Sequence, residues 1–242
     1  MSDRSIEVDT ITYSSAVSAC QKGSEWRNAL RILHDMNTHN VLANVFTYSA
    51  AVSSCASDGA WEQSLQLLHE MSDDKVEAST ITYNAVITTC RKDGEWQCAF
   101  RLLLEMADRT VNMDDLTYNA ALFACESKGE WQQAVQLLFD MTDRSIATDT
   151  LSYRALIGAC GIGGEWQHAL QLLYAMPDRS VATDSKAYNA AVGACGICSE
   201  WQQAAELLCD MSDRKVESDT TVFAASARHV GSSRAKGHPL VP

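Results

Sequence analysis

The six tryptophans of this chain stand at Trp26, Trp61, Trp96, Trp131, Trp166 and Trp201, always 35 residues apart. Tyrosine keeps the same step at Tyr13, Tyr48, Tyr83, Tyr118, Tyr153 and Tyr188, with Phe223 in the seventh place. Methionine keeps it at Met36, Met71, Met106, Met141, Met176 and Met211. An ungapped period of this length means that one supersecondary unit is copied along the chain. Each copy then buries its apolar face only against its neighbours.

The unit has two helical faces. In the first copy, Tyr13, Ala16, Val17 and Cys20 are spaced i, i+3, i+4, i+7, the apolar stripe of one helix. Gly23 marks a break, and Trp26, Ala29, Leu30, Leu33 and Met36 form a second stripe. The expected fold is all-α, a right-handed α-solenoid of stacked helical hairpins. Six full units run over residues 10–44, 45–79, 80–114, 115–149, 150–184 and 185–219. Residues 1–9 match the tail of a unit, so the chain is expected to begin part-way through one. Residues 220–230 match the first helix of a seventh, and residues 231–242 read as a basic tail with Arg234, Lys236 and His238.

The last residue of each unit is Asn44, Ser79, Asp114, Asp149, Asp184 or Asp219. All are favoured helix N-caps, placed where the next helix should start. Tryptophan opens each second helix and, as the largest apolar side chain (~150–250 Å² buried), is expected to fill the layer between units.

Composition narrows the function. Net charge is -12, from 31 acidic and 19 basic residues. That counts against bulk electrostatic attachment to nucleic acid or anionic membrane, though not against a local basic stripe. Apolar runs stop well short of the ~20 residues a membrane span needs, so no membrane insertion is expected. Six of the nine cysteines, Cys20, Cys55, Cys90, Cys125, Cys160 and Cys195, are one repeated position. They read as small core residues in a reducing compartment. Cys195 and Cys198 form a lone Cys-x-x-Cys with no second pair, so no metal is expected. His34 and His69 read as packing residues. The pairs Asp108-Arg109, Asp143-Arg144, Asp178-Arg179 and Asp213-Arg214 read as surface ion pairs. No nucleophile elbow, phosphate-binding glycine loop or metal-binding His-Glu pair is present, and neither a catalytic residue nor a cofactor is expected.

The informative variation follows the aromatic residue: Ser14, Ser49, Asn84, Asn119, Arg154 and Asn189. These side chains lie on the first turn of each first helix, off its apolar face. Stacking would set them in a row. The row is either a solvated helix face or a line of hydrogen-bonding groups that meets one ligand element per unit.

The string Thr80-Ile81-Thr82-Tyr83-Asn84-Ala85-Val86-Ile87, followed by Gly94, Ala99, Leu103 and Met106, resembles a pentatricopeptide repeat of the 35-residue P-type. The resemblance covers roughly residues 1–230. Tetratricopeptide repeats step by ~34 residues and lack the Tyr-Asn opening. The resemblance implies single-stranded RNA as partner, one base per unit, in a mitochondrion or chloroplast. It implies a non-catalytic role in RNA processing, stabilisation or translation. Base selection would fall to the residue after the aromatic together with the last residue of the unit. Ser14 with Asn44 would favour adenine, and Ser49 with Ser79 would lean to adenine. Asn84 with Asp114, Asn119 with Asp149, and Asn189 with Asp219 would favour uracil. Arg154 with Asp184 leaves its base undefined, so the implied site is A-A-U-U-N-U, read 5′ to 3′. Bases would be sandwiched by Ile11, Phe46, Ile81, Leu116 and Leu151, with Lys186 in the sixth place. Phosphates would meet Lys22, Arg91, Lys92 and Lys128, whereas units five and six carry Gly161-Ile162 and Gly196-Ile197 there. The alternative is a scaffold subunit that contacts protein in a large organellar complex.

Overall fold

The computed structural model describes residues 10–56, 58–214 and 216. Among them are twelve α-helices and no strand, as the all-α expectation required. They are α1 (Thr10–Gly23), α2 (Trp26–Thr38), α3 (Val45–Cys55), α4 (Trp61–Asp73), α5 (Thr80–Asp93), α6 (Trp96–Asp108), α7 (Asp115–Lys128), α8 (Trp131–Asp143), α9 (Thr150–Ile162), α10 (Trp166–Ala175), α11 (Ser185–Ile197) and α12 (Trp201–Asp213). A short 3-10 turn, Pro177–Arg179, follows α10. The expected unit tail over residues 1–9, the seventh helix and the basic tail lie outside the described residues. The described residues fall into two compact units, divided after Ala120 within α7.

In the first unit, α1 packs on α2 and α3, and α3 packs on α4 and α5. First helices therefore lie side by side, and each second helix sits against its own partner and the next hairpin. Tyr83, Val86, Ile87 and Cys90 of α5 are fully buried, as are Ala99 and Met106 of α6. The recurrent tyrosine carries a polar tip into this core, and its hydroxyl is satisfied. Tyr48 Oη donates to Asp74 Oδ2 at 2.6 Å, and Tyr83 Oη to Glu105 Oε1 at 2.9 Å. The first residue of a hairpin also ties to the next loop, with Thr80 Oγ1 donating to the Asn112 carbonyl at 2.7 Å.

The second unit repeats these contacts. Its α9 packs on α10 and α11, and α11 packs on α12. Tyr188 Oη donates to Asp210 Oδ2 at 2.7 Å, and Thr150 Oγ1 to the Ala182 carbonyl at 3.0 Å. The first helices approach closely here: a Cβ at Gly161 would lie 2.7 Å from Ala194 Cβ. The core cysteines are reduced and buried. Burial pushes the Cys125 and Cys160 thiols up to about 12, so these sulfurs behave as apolar filling.

Two expectations are corrected. The tryptophans do not fill the core: Trp26, Trp61, Trp96, Trp131 and Trp166 are half-buried, and Trp201 is exposed. Tyrosine is the buried aromatic. Each indole opens a second helix at the end of its hairpin, where its N–H needs a polar partner. There it leans on the turn of the next repeat. Trp26 Nε1 donates to Asp58 Oδ2 at 2.9 Å, and Trp131 stacks on His168 with ring centroids 4.9 Å apart. The adjacent Asp-Arg residues are not the ion pairs either. Arg109 pairs with Glu105 at 3.1 Å, Arg144 with Asp140 at 3.0 Å and Arg214 with Asp210 at 2.9 Å. Consecutive helical residues point in different directions, whereas residues four apart meet.

Both turns of the hairpin need a left-handed residue. Between the helices this is Gly59, Gly94, Gly129 or Gly164, with Ser24 and Ser199 in the same place. After the second helix it is Asn40, Lys75, Thr110, Ser145 or Ser180. Thr110 has φ of 55° and is β-branched, the residue type least suited to that region. Asn tolerates it far better. Thr110→Asn is therefore expected to raise unfolding stability by about 1 kcal/mol, measured as a higher urea midpoint at unchanged slope.

Candidate functional site

The site is built on the first turns of the first helices. The second residue of each is large, apolar and turned to solvent in α1, α3, α5, α7 and α9. Ile11 is 74% exposed, Phe46 80%, Ile81 71%, Leu116 61% and Leu151 41%. Burial of the hairpin cores does not require these side chains, and water disfavours them there. In α11 the place belongs to Lys186, which is also exposed.

Beside them stand the polar residues that vary. In the first unit they join the last residue of their own repeat through a hydroxyl of the next. Ser14 Oγ and Thr47 Oγ1 share a hydrogen bond of 2.7 Å, and Thr47 Oγ1 donates to Asn44 Oδ1 at 3.0 Å. Ser49 Oγ and Thr82 Oγ1 are 2.8 Å apart, with Ser79 Oγ at 3.2 Å from the same Thr82 oxygen. Asn84 Nδ2 donates directly to Asp114 Oδ1 at 3.0 Å. Thr117 Oγ1 lies 2.6 Å from Asn84 Oδ1 and 2.7 Å from Asp114 Oδ1. Thr47, Thr82 and Thr117 are fully buried, so each cluster has a fixed floor.

The same terminal residues cap the following helix, as expected. Asn44 accepts from the Thr47 N–H at 3.0 Å, Ser79 from Thr82 at 3.4 Å and Asp114 from Thr117 at 2.9 Å. In the second unit Asp149 accepts from Ser152 at 2.9 Å and Asp184 from Ala187 at 2.8 Å. Asn119 is 4% exposed, Asn189 is half-buried, and Asp219 lies outside the described residues. Arg154 is half-buried, its guanidinium 5.3 Å from the Phe123 ring centroid. The buried hydroxyl was not singled out from sequence. Its signal is the Thr or Ser that precedes tyrosine at Thr12, Thr47, Thr82, Thr117 and Ser152, replaced by Ala187 in the sixth unit.

In the first repeat these parts face one groove of about 510 Å³, lined among others by Ile11, Ser14, Lys22, Asn44 and Phe46. The other basic residues are placed less evenly. Arg91 and Lys128 are exposed near the ends of α5 and α7. Lys92 Nζ instead donates to the Asp58 carbonyl at 3.1 Å while its stem covers Gly59, so its ammonium braces a turn.

The Asp114 carboxyl is perturbed by its neighbours. Burial opposes its charge, but bonds from Thr117 and Asn84 outweigh that and hold it below the usual carboxylate range. No cluster of three or more metal-ligating side chains occurs among the described residues. No helix among them is long and apolar enough to cross a membrane.

Comparisons with known proteins place the repeat in a family. The pentacotripeptide-repeat region of PRORP matches residues 4–173, and a PPR repeat matches residues 186–216. The chain belongs to the pentatricopeptide repeat family. Its fold is shared with the pentatricopeptide repeat protein PPR10 from maize, at a TM-score of 0.70 and 22% identity over 98% of this chain. The chain spans 36% of that protein's length. PPR10 in complex with an 18-nt psaJ RNA element matches at a TM-score of 0.55 and 14% identity, over 94% of this chain and 38% of the other. The PPR domain of Arabidopsis thaliana protein-only RNase P 1 in complex with tRNA matches at 0.59 and 15% identity, over 74% of this chain and 95% of the other. No curated protein matches the chain significantly in sequence.

The depressed Asp114 carboxyl makes a pH prediction. A folded value below the unfolded one contributes stability that is present above about pH 4 and lost as pH falls through the folded value. Asp114→Ala, which also removes the cap, should cost about 1–2 kcal/mol at neutral pH. Its urea midpoint should fall less steeply than the parent's below pH 4.

Proposed function

We propose that this chain binds single-stranded RNA along the first turns of its first helices, one base per repeat, and performs no chemistry on it. The observation that carries this reading is the groove of the first repeat, where Ile11, Phe46, Ser14, Asn44 and Lys22 face the same space. Two exposed apolar side chains offer the faces between which a base can lie. The polar pair offers hydrogen bonds to its edge, and the ammonium offers a contact to phosphate. Single-stranded RNA presents these three features once per nucleotide. Similar folds have been solved with a psaJ RNA element and with tRNA, which supports RNA as the ligand class.

In this reading Thr47, Thr82 and Thr117 hold the selecting pairs in position before RNA arrives, which lowers the cost of ordering them on binding. The pairs then read A-A-U-U-N-U. The chain acts in an organelle by covering or positioning a short A/U-rich segment during processing, stabilisation or translation. With few basic side chains toward the groove, base contacts rather than phosphate contacts supply most of the affinity, and the salt dependence is shallow.

A scaffold role is the second reading. Leu104 on α6, and Phe139 and Tyr174 on α8 and α10, are large apolar residues exposed on second helices, and the net charge is -12. A stoichiometric protein complex that survives ribonuclease and high salt would favour it.

Replacing Asn84, Asn119 and Asn189 together by alanine should weaken binding of a 5′-AAUUNU-3′ oligomer by about 100-fold, at roughly 1 kcal/mol per lost hydrogen bond. The helical circular dichroism should be unchanged. Parental affinity in the triple variant would rule out the mechanism.

A further inference from the structure

Each repeat places a cysteine near the end of its first helix, and the third repeat adds a second thiol. Cys98 is the third residue of α6, where the other units have Asn28, Gln63, Gln133, His168 and Gln203. The hairpin turn brings the two helix ends together, and the Cys90 carbonyl accepts from the Glu95 N–H at 2.9 Å. The side chains meet as well: the Cys90 thiol donates to the Cys98 sulfur. Cys90 has no exposed surface, and Cys98 keeps 6% of its own. Both are reduced.

The two thiols are chemically unlike. The bond from Cys90, helped by the Arg101 guanidinium, brings the Cys98 thiol down to about 7 against the opposition of burial. The same bond and the same burial hold Cys90 well above the ordinary thiol range. Cys98 also stands in the first turn of a helix whose N-cap residue, Glu95, makes no side-chain capping bond. The N–H groups of that turn favour a negative sulfur. Near neutral pH Cys98 is the thiolate of the pair and Cys90 its protonated partner.

We propose that Cys90 and Cys98 form a peroxide-reactive site, at which hydrogen peroxide converts the dithiol into a disulfide within the third hairpin. The Cys98 thiolate attacks one peroxide oxygen, the O–O bond breaks, and hydroxide leaves with the electron pair, so that Cys98 becomes a sulfenic acid. The Cys90 sulfur then attacks the Cys98 sulfur. The S–S bond forms, the S–O bond breaks, and the departing hydroxyl takes the Cys90 proton to leave as water. Two electrons pass from the sulfurs to the peroxide. The enclosure of Cys98 selects a small oxidant, since a molecule of two oxygens reaches a nearly covered sulfur more readily than a bulky disulfide does. The contact with Cys90 supplies the resolving thiol at once. The product ties the end of α5 to the start of α6 across the turn that the Glu95 bond already closes. In a reducing compartment such a bond is transient and senses the oxidant. This chemistry is independent of the RNA-binding reading above.

The test treats the reduced full chain with hydrogen peroxide, alkylates the remaining thiols in denaturant and maps the tryptic peptides by mass spectrometry. Cleavage after Lys75, Arg91, Lys92 and Arg101 leaves Cys90 in residues 76–91 and Cys98 in residues 93–101, each the single cysteine of its peptide. The expected product is these two peptides joined, lighter by two hydrogens and separated by dithiothreitol. Cys90→Ser should instead leave Cys98 as a sulfenic acid that dimedone traps. Cys98→Gln, which installs the residue of units two, four and six, should abolish both products. Alkylation of Cys90 and Cys98 while the more exposed Cys198 and Cys209 are consumed overturns the proposal. So does joining that requires denaturant, or that proceeds faster with oxidised glutathione than with hydrogen peroxide at equal concentration. A dimedone adduct on Cys90 in the Cys98→Gln chain overturns the assignment of Cys98 as the attacking sulfur.

Discussion

An α-helix begins with backbone N–H groups that nothing inside the helix can satisfy. In this chain the first helices α3, α5, α7, α9 and α11 meet that need with the side chain of the residue just before them, and the rest of the repeat is arranged around the solution. The acceptor is Asn44, Ser79, Asp114, Asp149 or Asp184 among the described residues. In the third repeat one oxygen, Asp114 Oδ1, accepts from the Thr117 N–H, from the Thr117 hydroxyl and from Asn84. In the proposed RNA-binding role, fold and recognition therefore share an atom. A residue that must be there to start a helix would also meet the ligand.

This sharing gives the first turns a hydrogen-bonded floor without a deep pocket. The hydroxyls of Thr47, Thr82 and Thr117 are buried, while the exposed residues Phe46, Ile81 and Leu116 immediately precede them. A single helical turn thus carries an apolar surface, a buried strut and, after the core tyrosine, the polar residue that varies. The tyrosine that follows the strut is locked by the core and by an acid of its own hairpin, as Tyr83 is by Glu105. A side chain at the surface thus takes its position from buried, hydrogen-bonded neighbours.

Much of this was legible in the sequence, and for physical reasons. A period of 35 residues and two apolar stripes per period specify helical hairpins. The terminal Asp, Asn and Ser residues announce helix starts, because few other side chains can accept from those N–H groups. The buried threonine was less legible, since Thr before tyrosine looks like an ordinary helix filler until its neighbour in the next repeat is in place. Tryptophan misled in the other direction. Apolar area says that a residue gains from burial, but not how much of it the geometry can cover. At the end of a hairpin an indole is covered on one face, and its N–H turns to a group such as Asp58. The arginines misled because adjacency in sequence is not adjacency on a helix. Arg109 reaches Glu105 and not Asp108.

In the proposed role, first-helix first turns, and not second helices, carry the ligand. Photo-crosslinking of the protein to an A/U-rich RNA, followed by mass spectrometry of the attached peptides, tests it most directly. Adducts should fall on peptides containing Ile11, Phe46, Ile81, Leu116 or Leu151. Adducts on peptides of α4, α6, α8 or α10, or no RNA adduct at all, would contradict it.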